Sequence, residues 1–171
     1  MQKHALTLAT ALLGVGVLMA CGSDKSTAPT TVTYKATLSG ANERPNANTS
    51  TATGTWTGVL NTQTNVMTYT MTYSGLSTNS TLAHIHAPGD ATVAVGVVLN
   101  FANYANSTTP FTPGTTSGTV AGTINFSGGT VQGLTITGDS LKTDMDLGLT
   151  YVNVHTSANP GGEIRGQIVK Q

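Results

Sequence analysis

Val66-Met67-Thr68-Tyr69-Thr70-Met71-Thr72-Tyr73 alternates large apolar residues with threonine. A period of two is that of an extended strand, so Met67, Tyr69, Met71 and Tyr73 share one face and the threonines the other. The stretch predicts a half-buried antiparallel strand. On either side of it, comparable runs are Val32 to Leu38, Gly54 to Leu60, Leu82 to His86, Val93 to Phe101, Gly118 to Phe126, Val131 to Thr137, Thr150 to His155 and Glu163 to Val169. Turn-forming residues separate them at Asn61 to Asn65, Ser77 to Ser80, Ala87-Pro88-Gly89-Asp90, Ser127-Gly128-Gly129 and Asn159-Pro160-Gly161-Gly162. Many short strands at this spacing predict an all-β domain, an antiparallel Greek-key sandwich or barrel.

One window departs from period two. Ser140-Leu141-Lys142-Thr143-Asp144-Met145-Asp146-Leu147-Gly148 offers a serine N-cap, apolar residues four apart and a glycine stop, which predicts one short helix. Asp144 and Asp146 read there as solvated residues serving the helix N-terminal dipole, not as a catalytic carboxylate pair. Ala102 to Ser117 is the longest irregular segment; its Tyr104 and Phe111 either pack as a lid or lie on a plain surface loop. Thr49 to Thr57 alternates around Trp56 and reads as a polar-faced strand.

Residues 1–20 read as an export signal, with Lys3 as a thin basic start and an apolar run from Ala5 to Ala20 that is short for a membrane span. The run ends in Leu18-Met19-Ala20-Cys21, which resembles a bacterial lipobox, so Cys21 is expected to carry lipid and residues 21–31 to form a flexible linker. Residues 32–171 then make one domain. Cys21 is the sole cysteine, which leaves no disulfide inside that domain. Gly22 stands where an aspartate would signal inner-membrane retention, so the expected location is the bacterial cell envelope, at the outer membrane or periplasmic face where the cell has one. Charged residues are 8% of the chain and the formal net charge is zero, which lacks the basic footprint of nucleic-acid binding. The expected partners are the membrane, through the lipid, and an unidentified protein or small ligand. The absence of a Gly-x-Ser-x-Gly elbow, a phosphate loop and a cysteine nucleophile from the sequence counts against an enzyme of those kinds.

The histidines beyond the signal gather in two strand-like segments. In Ala83-His84-Ile85-His86 the two imidazoles project from one face. In Tyr151-Val152-Asn153-Val154-His155-Thr156 the valines suit the core, which leaves Tyr151, Asn153 and His155 on the opposite face. If the two strands are neighbours, His84, His86 and His155 converge, a donor set that suits copper or zinc with a fourth position for water or a small ligand. The other reading is a structural polar cluster of Glu43, Asn153, Glu163, Arg165 and the histidines, in which Arg165 clamps Glu43 or Glu163 in a charge-assisted pair.

Leu38-Ser39-Gly40-Ala41-Asn42-Glu43-Arg44-Pro45, the central His-x-His, and the late segment running on into Pro160-Gly161-Gly162-Glu163-Ile164-Arg165-Gly166-Gln167-Ile168 together resemble the CHRD domain, named from chordin. The resemblance spans Tyr34 to Ile168. It implies an exported domain: in chordin the repeats belong to an extracellular antagonist of bone morphogenetic proteins, while bacterial members are mostly solitary. The cysteine-rich modules of chordin are missing here, so growth-factor binding does not carry over and the resemblance implies little about activity; the leading expectation is a non-enzymatic binding or envelope-interaction module. A weaker resemblance links the His-x-His strand, the late histidine and the Gly-rich approach to a final strand with copper/zinc superoxide dismutases. The sandwich or barrel is accordingly expected to be immunoglobulin-like or superoxide-dismutase-like. The bridging histidine, zinc-binding loop and disulfide of the dismutases have no counterparts, which argues against that activity.

Overall fold

The structure, a computed structural model, describes residues 30–127, 129 and 133–171. The expected signal, Cys21 and the linker as far as residue 29 lie outside the described residues. Among the described residues the strands are β1 (Thr31–Ser39), β2 (Thr53–Asn61), β3 (Val66–Ser74), β4 (Ser80–His86), β5 (Val97–Asn100), β6 (Ser107–Thr109), β7 (Gly118–Asn125), β8 (Thr150–Thr156) and β9 (Ile164–Lys170), with one α-helix, α1 (Gly138–Asp146), before β8 and a 3-10 turn at Gly40–Asn42. All nine join a single antiparallel sheet in the order β5-β4-β8-β9-β1-β2-β3-β7-β6. The all-β expectation holds.

The sheet curls on itself. Phe101, at the end of β5, packs its ring 5.5 Å from that of Tyr69 on β3, although these strands lie near opposite ends of the strand order. Backbone bonds from Ser80 to Thr115 and from Gly114 to Ser80 close the same gap. One core therefore fills the inside. Period-two alternation supplies it: Met67, Tyr69, Met71 and Tyr73 of β3 are buried, as are Tyr34, Ala36 and Leu38 of β1 and Trp56 and Leu60 of β2. Trp56, fully buried, stacks on Tyr69 with centroids 6.3 Å apart.

Four expectations change. Val93 to Phe101 narrows to β5, because residues 88–96 leave the sheet and arch over its outer face. Of the strand expected over Val131 to Thr137, the described part contributes an isolated bridge between Leu134 and Leu99; Val131 itself lies outside the described residues. The segment 102–117 contains β6, and its Tyr104 and Phe111 are buried, Phe111 with its ring 6.2 Å from that of Tyr73. The helix begins three residues early, its N-cap at Thr137 in place of Ser140, and the Thr137 hydroxyl accepts from the Ser140 amide. Asp144 and Asp146 consequently fall in its last turn, not its first. Asp146 accepts from Lys142, from Lys170 and from the Tyr34 hydroxyl, so it ties the helix to β9 and β1.

Candidate functional site

Most of the sheet buries one face. β8 is buried on both, and β4 is buried on both from Ala83 onward. Their inner residues, Ala83, Ile85, Val152 and Val154, join the core. Their outer residues are covered by the 88–96 arch and by the turn through Pro160, which creates a second, polar interior. β4 pairs with β8 in the register Leu82 to His155, His84 to Asn153 and His86 to Tyr151, so His155 sits diagonally across from His84 on the same face.

That register brings the three imidazoles together. His84 Nδ1 is 3.2 Å from His155 Nε2, ring centroids lie 5.6 Å apart for His84 and His86, and one nitrogen from each of the three rings falls within 4.8 Å of the others. The residues His84, His86 and His155 are 7%, 7% and 8% exposed, so all three are buried. Two of them are oriented by backbone carbonyls. His86 Nδ1–H donates to the Val95 carbonyl at 2.8 Å, and His155 Nδ1–H donates to the Pro160 carbonyl at 3.0 Å. A carbonyl only accepts, so each ring holds its proton on Nδ1 and turns a bare Nε2 inward. This is the outer-shell arrangement that fixes metal-ligating histidines.

The electrostatics keep the rings neutral. Burial, with the neighbouring His155 and His86, lowers the His84 pKa from 6.5 to about 4. Burial also lowers those of His86 and His155, partly offset by the carbonyl bonds. Neutral imidazoles are what a cation requires.

Next to the rings lies a stack. Tyr151 is parallel to His86, with centroids 4.6 Å apart, and the Arg165 guanidinium covers the other face of Tyr151 at 3.4 Å. Arg165 donates through Nη2 to the Asp90 carbonyl, and Gln167 donates to the Gly89 carbonyl. Arg165 thus holds down the arch that carries Val95, and with it the orientation of His86.

The expected charge clamp is absent: neither Glu43 nor Glu163 is within ion-pair distance of Arg165. Glu163, fully buried, is satisfied by neutral donors instead. Ser50 Oγ and the Ser77 amide each donate at 2.7 Å to Oε1, while Thr156 Oγ1 at 2.6 Å and Ser77 Oγ at 2.9 Å donate to Oε2. Burial raises its pKa, but these bonds outweigh burial and the net direction is down. Glu43 packs against the Gly162 backbone, where a Cβ would lie 2.4 Å from Oε1 and where φ is +130°. Its Oε1 has no hydrogen-bond partner among the described residues. Burial raises its pKa to about 7, with Arg165 and Arg44 pulling the other way. Asn153 belongs to the histidine face, its amide 3.1 Å from His86 Nε2. The carbonyls of Val95 and Pro160, the Tyr151 stack and the hydroxyls around Glu163 are the parts that sequence reading did not find.

These shifts give opposite pH dependences in the metal-free protein. Between pH 6.5 and about 4 the unfolded chain binds a proton at His84 that the folded chain refuses, so stability falls as pH falls. Between pH 4.5 and about 7 folded Glu43 holds a proton that the unfolded chain has lost, so stability falls as pH rises. Glu43→Gln removes the second effect alone. In urea melts the variant should gain on wild type by on the order of 2 kcal/mol from pH 5 to pH 8. Parallel pH curves for the two proteins would contradict the buried state of Glu43.

A family model described as the CHRD domain matches residues 34–168, which takes in β4, β8, β9 and all three histidines. No curated protein matches the chain.

Proposed function

The chain belongs to the CHRD domain family, and on that premise we propose that it is a binding module of the bacterial cell envelope that holds one copper or zinc ion on His84, His86 and His155. The observation that carries this reading is the convergence of three ring nitrogens within 4.8 Å. The carbonyl partners of His86 and His155 support it, because they fix the tautomers a metal needs. All three donors are imidazoles, which suit copper and zinc better than calcium or magnesium.

Titration of the purified chain with Cu²⁺ and Zn²⁺ tests this. One-to-one binding at micromolar or tighter affinity is expected, weakened at least a hundredfold in each of His84→Ala, His86→Ala and His155→Ala. Because the rings resist protonation, the wild-type affinity should change by less than about threefold between pH 7.5 and pH 6. Equal weak binding by wild type and variants would overturn the reading.

The Leu18-Met19-Ala20-Cys21 motif supports the envelope part of the proposal, with lipid on Cys21 tethering the domain. Wild-type protein should partition into the detergent phase and Cys21→Ser should not. A free Cys21 thiol in wild-type protein from the aqueous phase would refute the anchor.

A further inference from the structure

Asn153 stands on β8 directly opposite His84, on the face that carries all three imidazoles, and is 3% exposed. Its Oδ1 lies 3.1 Å from His86 Nε2, and no other side-chain hydrogen bond is formed by it among the described residues. His86 Nδ1 is committed to the Val95 carbonyl, so in the neutral ring Nε2 is a bare lone pair. An amide oxygen cannot bond to that lone pair. Asn153 Oδ1 and that lone pair therefore face each other across 3.1 Å with no proton to share.

A cation between them removes that conflict. It takes the Nε2 lone pair and attracts the amide oxygen. We propose that Asn153 supplies the fourth protein ligand of this site, its Oδ1 meeting the ion from the place where it already faces His86 Nε2. The proposal rests on the three-histidine reading and extends it to a three-nitrogen, one-oxygen donor set.

The geometry is suited to this. In a tetrahedral site with bonds of 2.0 to 2.1 Å, any two donors lie about 3.3 to 3.4 Å apart. The amide lies 3.1 Å from His86 Nε2, and His84 Nδ1 lies 3.2 Å from His155 Nε2. Both separations are close to an edge of such a tetrahedron, and the three histidines bring one nitrogen each within 4.8 Å of the others. Binding costs a shift of the His84 proton from Nδ1 to Nε2 and the approach of donors that start within 4.8 Å of one another. A neutral oxygen donor also sets specificity, because it favours Zn²⁺ and Cu²⁺ over the softer Cu⁺.

Co²⁺ and Zn²⁺ are the probes, used with the full chain and with Asn153→Ala and Asn153→Asp. Wild-type protein should give the strong visible bands of tetrahedral Co²⁺, unmoved by millimolar azide. Asn153→Ala should bind Zn²⁺ at least tenfold more weakly, and its Co²⁺ bands should shift and respond to azide as the fourth position opens. Asn153→Asp, with the same shape and an anionic oxygen, should bind Zn²⁺ at least tenfold more tightly; it remains informative where Asn153→Ala fails to fold, as melts in chelator will show. Zn²⁺ affinities of both variants within about twofold of wild type would overturn the proposal, and so would a wild-type Co²⁺ spectrum that moves with azide. Failure of the wild type to bind either ion would remove the histidine site itself, and the proposal with it.

Discussion

Glu163→Ala is expected to destabilise the domain by about 4 kcal/mol or more. The carboxylate accepts four hydrogen bonds from Ser50, Ser77 and Thr156 in a fully buried position. Bonds to a charged acceptor contribute roughly 1.5 to 3 kcal/mol each, and removing the acceptor leaves buried donors unpaired. Relief from desolvating a charge offsets part of that sum, which is why the expected loss is well below four times the unit value. Glu163→Gln should recover only part of it, because its NH₂ faces donors where an oxygen stood. Since Thr156 adjoins His155, both variants should also weaken metal binding. Urea melts of the metal-free proteins decide the matter: a loss under about 1 kcal/mol for Glu163→Ala would contradict the buried cage.

The second large effect is the stabilisation of the fold by its ion. A ligand that binds only the folded state adds RT ln(1 + [L]/Kd), which is about 4 kcal/mol at a thousandfold excess over Kd. For a domain of this size that corresponds to a rise in Tm of roughly 10 °C or more. Zn²⁺ should produce this shift in wild-type protein, chelator should reverse it, and His155→Ala should show little of it. A wild-type Tm that is the same with and without saturating Zn²⁺ would count against a site shared by β4 and β8.

What the sequence revealed depended on whether a feature was local. β3 was legible because the Met67 to Tyr73 alternation needs no knowledge of its neighbours, and the common face of His84 and His86 follows from the same period. Val131 to Thr137 misled for the same reason. Its alternation is real, but Gly133 has a positive φ and the described part, residues 133–137, makes a single bridge at Leu134. β6 was missed because a three-residue strand owes its form to β7 beside it, not to its own pattern. The adjacency of β4 and β8 is a long-range pairing that no local signal encodes, so the convergence of His155 with His84 and His86 could be posed from sequence only as a condition. The carbonyls of Val95 and Pro160 carry no side-chain signature at all. Glu43, Glu163 and Arg165 invited pairing by opposite charge, yet Glu163 found hydroxyls, Arg165 found a carbonyl and a tyrosine face, and Glu43 found a glycine turn.

Anomalous diffraction from crystals of the Zn²⁺-loaded protein tests the central claim most directly. The account predicts one zinc peak between β4 and β8, at about 2.0 to 2.1 Å from a ring nitrogen of each of His84, His86 and His155. A zinc ion bound elsewhere, or held by only one of these three imidazoles, would contradict it.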